Sequence, residues 1–219
     1  MNKIKFLLLC FCCVLFASMN GQESYGGTPF MFGEQEIIKL ESIIKIEYPK
    51  IDNEEEHKRA DEFAEKYGYG TGKFYGIDVP VKLDLKKEAT VVDVDSGKVY
   101  LLELISPTAY ALQVYFGAFK LPKGSRIFVY NSDRKVFLGS FTHENNFKNN
   151  KFWTEFIKGN SLIIEYYEPK EIDFEPELHI ESLVHTFLRS GPFSSDTGGS
   201  AECNINVNCL STISNLIDY

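Results

Sequence analysis

The chain has 219 residues, 44% of them hydrophobic, which is ample for one packed core and short for two. Acidic residues outnumber basic ones by 31 to 23, for a formal net charge of −8. No long basic run offsets this acidity, so the chain would repel a phosphate backbone, and nucleic acid is excluded as an expected partner.

The N-terminus reads as an export signal. Lys3 and Lys5 form a basic start, and Phe6 to Phe16 is an apolar run of signal-core length, too short for a stable membrane span. Ala17, Ser18, Asn20 and Gly21 follow, which places cleavage between Gly21 and Gln22. Cys10, Cys12 and Cys13 lie inside this run as apolar filler, because the residues before them (Leu9, Phe11 and Cys12) lack the small side chain of a lipoprotein site. Once the signal is removed, no membrane association is expected and Cys203 and Cys209 are the only cysteines left. An exported protein can keep them oxidised, which makes both disulfide candidates.

Residues 22–74 read as a leader with one helix. Its start, 22–35, is Gly-rich and polar and reads as loose chain. Asp52 is placed to cap the helix, with Glu55 at capping-box spacing. Ala60, Phe63, Ala64 and Tyr67 recur at helical spacing and Gly68 marks the stop. The charged run Glu54 to Arg59 is the solvated face.

From residue 75 the period changes to two. Ile77, Val79, Val81, Leu83 and Leu85 alternate with polar residues, and Pro80 puts this strand at a sheet edge. Further strands are predicted at 98–105, 110–117, 126–131, 135–141, 152–157, 161–167 and 178–187, separated by turns such as Asp95-Ser96-Gly97 and Lys158-Gly159-Asn160. The expected fold is mainly β: an antiparallel, jelly-roll-like β-sandwich over residues 75–189, with one short N-terminal helix. Tyr166 and Tyr167 must point to opposite faces of one strand. Residues 190–202 are small, polar and Gly-rich, a linker exposed to proteolysis.

No catalytic constellation emerges. Asp196-Thr197-Gly198 spells an aspartic-protease triplet but follows Phe193-Ser194-Ser195 in a linker instead of an apolar strand. The same stretch loosely resembles Gly-Asp-Ser-Gly-Gly, with Thr197 in the nucleophile slot. His57, His143, His179 and His185 each read as structural, with His179 and His185 on one face of the last strand. Asp93 to Gly97 begins like a calcium loop but fits a hairpin turn. No cofactor and no metal site are expected.

Five stretches, in order, carry a resemblance. They are SPTAYALQVYFGAFKLPKGSRIFVYN (106–131), LGSFTHENN (138–146), FWTEFIKGNSLIIEYYEP (152–169), LHIESLVHTF (178–187) and CNINVNC (203–209). Together they resemble the N-terminal precursor region of secreted bacterial lysyl-endopeptidase-like serine proteases, which are trypsin-like. The resemblance implies that Cys203 and Cys209 open a protease domain and pair with cysteines further along it. It implies maturation cleavage in the linker, near Gly198 and Gly199. It also implies that the catalytic His, Asp and Ser lie beyond the departure that begins after Cys209, so that residues 203–219 are a remnant of that domain. The residues themselves leave open whether Cys203 and Cys209 bridge each other, stay free or cross-link chains.

Two functions follow from the sequence. One is a precursor domain, itself without peptidase activity, whose partner is a protease domain. The other is a stand-alone exported module that binds a glycan or protein through some of its 18 Phe and 12 Tyr. Clustered surface aromatics would favour the second, and scattered ones the first.

Overall fold

The structure, a computed structural model, describes residues 24–33, 38–68 and 74–189. The signal segment with its cleavage site at Gly21 and Gln22, the linker with Gly198 and Gly199, and Cys203 and Cys209 all lie outside the described residues.

Two sheets stack face to face. The first has the order β1 (Ile44–Glu47), β4 (Gly97–Ile105), β10 (Ser161–Pro169), β6 (Arg126–Tyr130) and β7 (Phe137–Phe141), and β3 (Thr90–Val94) also pairs with β4. The second runs β2 (Gly76–Asp84), β11 (Glu177–Thr186), β5 (Ala111–Lys120) and β8 (Phe152–Trp153), with β9 (Ile157–Lys158) also on β5. The chain changes sheets repeatedly, at β1–β2, β2–β3, β4–β5, β5–β6, β7–β8, β9–β10 and β10–β11, the jelly-roll-like interleaving of a sandwich. All pairings are antiparallel except β1 with β4, which is parallel. β1 lies beside Leu102 to Ile105 and β3 beside Gly97 to Leu101, so two short strands share one edge of β4 end to end.

The alternating strand 76–84 is an edge strand, with Pro80 facing outward, as its missing N–H requires. It ends one residue earlier than the alternation suggests. The Asp84 carboxylate accepts from Lys86 N and starts a four-residue helix, Leu85–Glu88, which drives Leu85 into the core. The predicted strand 152–157 is instead two two-residue strands, β8 and β9. They are separated at Thr154, whose hydroxyl takes the Val114 N–H that a continuous strand would have used.

The inter-sheet core is aromatic at one end. Phe152 stacks on Phe119 at 4.3 Å between ring centroids and meets Phe141 at 4.8 Å and Phe116 at 6.3 Å. A second core lies on the far side of the first sheet. There Val99, Leu101, Phe128, Tyr130, Ile163 and Tyr167 pack under Met31 and Ile43. Tyr166 therefore belongs to one core and Tyr167 to the other, and β10 is buried on both faces. The reading of 22–35 as loose chain is corrected over 24–33. This segment forms a third layer, because the Phe30–Phe32 turn carries Met31 into full burial and sets Phe32 edge-to-face against Tyr130.

The helix, α1 (Asn53–Tyr67), starts and stops as its sequence dictates. Asp52 accepts from Glu54 N and Glu55 N, and Gly68 adopts the left-handed conformation at φ 66°. Its apolar stripe is not core, however: Phe63 and Tyr67 are about half exposed. No helix among the described residues is long and apolar enough to cross a membrane.

Candidate functional site

Each histidine finds a different setting. His57 lies on the helix, 3.6 Å from Asp61; His143 is 3.2 Å from Glu144; His179 is 4.0 Å from Asp84. His185 alone is fully buried. His179 and His185 do not share a face. Against β5, Glu181 is an extra residue between Ile180 and Ser182, and one inserted residue reverses the in–out alternation; at the same point β2 carries an extra residue of its own between Leu83 and Pro80. The expectation of a common face fails on that bulge.

His185 joins three elements. Its Nδ1 is 2.8 Å from the Ser106 hydroxyl and its Nε2 is 2.9 Å from Asn53 Oδ1. The Asn53 amide N–H donates to Thr108 O at 2.7 Å, which turns Oδ1 toward the ring. Nε2 therefore carries the hydrogen and Nδ1 accepts from Ser106. The outline is that of a Ser–His–Asn hydrolase site, but Ser106 and His185 are both sealed from solvent. No substrate reaches the serine. The chain of bonds instead fastens the start of α1 to the sandwich, helped by the Thr108 hydroxyl on Ile51 O at 2.7 Å.

Burial holds the His185 pKa below the usual imidazole value, and the nearby Glu56 charge only partly offsets this. The unfolded chain therefore binds a proton more readily than the folded one. Stability contributed by neutral His185 is complete above about pH 6.5 and is lost as pH falls from there toward the lowered native value. Urea midpoints measured between pH 7.5 and 5 should decline for the native protein, and His185→Gln should flatten that decline.

The second polar site lies between the first sheet and the segment 24–33. Glu165, fully buried on β10, accepts from Phe30 N at 2.6 Å, Met31 N at 3.2 Å and the Tyr130 hydroxyl at 2.9 Å. Burial raises the Glu165 pKa in spite of these three donors, and raises that of Tyr130 as well. One strand away, the Arg126 guanidinium packs beside two rings that touch each other at 5.2 Å, 5.5 Å from the Phe30 centroid and 5.1 Å from that of Tyr167. Arg126 lines an open concavity of about 730 Å³, together with Tyr25, Gly26, Gly27, Ser140 and Thr142. Sequence reading missed this site because Glu165, Arg126 and Phe30 come from distant parts of the chain. The signal it offered was a glutamate in the middle of an apolar run, Leu162 to Tyr167.

A third polar cluster is built on Glu168. It accepts from Lys86 Nζ at 2.8 Å and from the Tyr166 hydroxyl at 3.0 Å. Among the described residues, no three His, Cys, Asp or Glu side chains gather where they could hold a metal ion. Asp95 and Ser96 form a two-residue hairpin turn, with Val94 paired to Gly97.

Exposed rings are spread over several elements. Trp153, half exposed, sits in register beside Tyr115 on the second sheet. Tyr110 lies under Arg189, and Tyr25 stands at the concavity. Phe63 gathers with Tyr67 at 4.6 Å and with Phe74 at 5.6 Å, on the acidic helix. No known protein family matches the chain, and no curated protein matches its sequence.

Proposed function

We propose that this chain is the exported precursor domain of a lysyl-endopeptidase-like serine protease, acting on a protease domain to assist its folding or keep it latent, with no peptidase activity of its own. One observation carries the reading. Four of the five stretches that resemble such precursors build one continuous body: 106–131 makes β5 and β6, 138–146 lies on β7 and the turn after it, 152–169 makes β8 to β10, and 178–187 makes β11. Both central strands, β10 and β11, lie in these stretches. The resemblance thus coincides with a folded unit, as a precursor domain requires. The fifth stretch and the linker lie outside the described residues.

The helix supplies a contact surface for this role. It is tied at its first turn, is rich in acidic residues, and carries half-exposed Phe63 and Tyr67, with Phe74 from beyond the helix against Phe63. Exposed aromatics of this kind anchor protein partners. The Phe63–Tyr67–Phe74 cluster and Trp153 beside Tyr115 also favour the alternative, a stand-alone glycan- or protein-binding module, while the spread of the other exposed rings favours the precursor.

The test is a titration of the purified chain against a mature lysyl-specific trypsin-like protease, following a lysyl amide substrate. The chain alone should release no product, and it should slow the protease saturably. Inhibitor-sensitive hydrolysis by the pure chain would overturn the reading.

A further inference from the structure

We propose that the concavity beside Arg126 binds the carboxylate of a peptide, either a C-terminal carboxylate or an acidic side chain. The Arg126 side chain forms no hydrogen bond or ion pair with a described residue; its Nε is buried without a partner, and its terminal Nη groups are the donors left for a ligand in the concavity. A cationic donor with no protein acceptor gains a charge-assisted hydrogen bond when a ligand supplies one. Glu165 is held by Phe30 N, Met31 N and Tyr130 and acts on Arg126 only through space.

The guanidinium packs against the Phe30–Tyr167 ring pair, and its terminal N–H groups, without a described acceptor, are its means of recognition. A planar fork of this kind matches a carboxylate with two parallel bonds. The neighbouring hydroxyls do not compete for that role. Ser140 donates to Gly26 O at 2.6 Å, Ser125 to Pro122 O at 2.6 Å, and Tyr167 to Ser96 O at 3.0 Å. Glu144, the acid in the lining, is 3.2 Å from His143.

The backbone favours a peptide over other acids. Gly26 and Gly27 both have positive φ, 74° and 92°, and carry no side chain into the opening. Their N–H groups donate to no described residue. A bare main-chain stretch beside an arginine offers hydrogen bonds to a peptide backbone while the arginine takes its charge. The volume, about 730 Å³, is within the range of clefts that enclose a small ligand.

Fluorescence anisotropy with the full chain and three labelled pentapeptides tests this. The first has a free C-terminus and no acidic side chain. The second is amidated with one internal Glu, and the third is amidated with that Glu replaced by Gln. Either of the first two should bind at least about tenfold more tightly than the third, as one charge-assisted pair predicts. Preference for the first assigns the C-terminal carboxylate, and preference for the second assigns the side chain. Arg126→Lys, which keeps the charge and loses the fork, should weaken that peptide by about tenfold. Because this variant can also loosen the segment 24–33, sodium acetate should displace the bound peptide from the native protein more effectively than sodium chloride at equal ionic strength. Equal binding of all three peptides, or binding of none, would overturn the proposal.

Discussion

Replacing Phe152 with alanine should destabilise the protein by about 4 kcal/mol, the range for removing a buried phenylalanine. Its ring is fully buried and touches Phe116, Phe119, Phe141 and Phe147, so four neighbours lose a packing partner at once. Local structure cannot compensate. β8 is two residues long and pairs with β5 only through Tyr115 and Phe116, so the strand is held by its ring more than by its ladder. Urea unfolding measures the loss directly, and Phe152→Leu should recover roughly half of it, since it refills part of the cavity. A loss below about 1 kcal/mol would mean that these rings do not form one packed cluster.

The second large effect is expected at Glu165. Glu165→Ala strands two backbone N–H groups and the Tyr130 hydroxyl in a buried site, with a cost of about 3 kcal/mol or more. The damage should be local first: hydrogen exchange at Phe30 and Met31 should accelerate more than exchange in β11. Glu165→Gln keeps an acceptor and the shape, and should recover much of the stability. The pH dependence of this group has the opposite sign to that of His185. Its native pKa is raised, so the folded state holds the proton more readily, and the stability it contributes declines as pH rises from about 4.3 past the raised value. Glu165→Gln should remove that decline.

What the sequence made legible was local. Asp52 and Gly68 bracket the helix because capping depends on neighbouring residues alone. Pro80 assigned an edge because a missing N–H has one consequence anywhere. What stayed hidden depended on distant partners. Ile44–Glu47 is only four residues long and pairs in parallel with a strand more than fifty residues away. Thr90–Val94 carried a strand signal in its β-branched run, yet only the turn after it stood out. The phase of His185 turns on a bulge that no alternation reveals. Phe30–Phe32 sits in a Gly-rich, polar stretch whose composition argues against packing, and its anchor, Glu165, lies 135 residues from Phe30. The amphipathic stripe of α1 was legible as a helix face, but periodicity alone does not say whether this chain or another covers it.

The same division applies to the sites. No short motif announces Ser106–His185–Asn53 or Arg126 beside its two rings, because each is assembled from segments distant in the chain: a strand, a turn and the helix in the first, two strands and the 30–32 turn in the second. The first is sealed and fastens the helix, while the second opens to solvent.

The most direct test of the precursor reading is the titration against a mature lysyl-specific trypsin-like protease, repeated while that protease is refolded from denaturant. The account predicts saturable inhibition or a raised yield of active enzyme, weakened by charge reversal of the acidic residues of α1, with no product from the chain alone. Product released by the chain itself, or a protease whose rate and refolding yield are both indifferent to the chain, would contradict it.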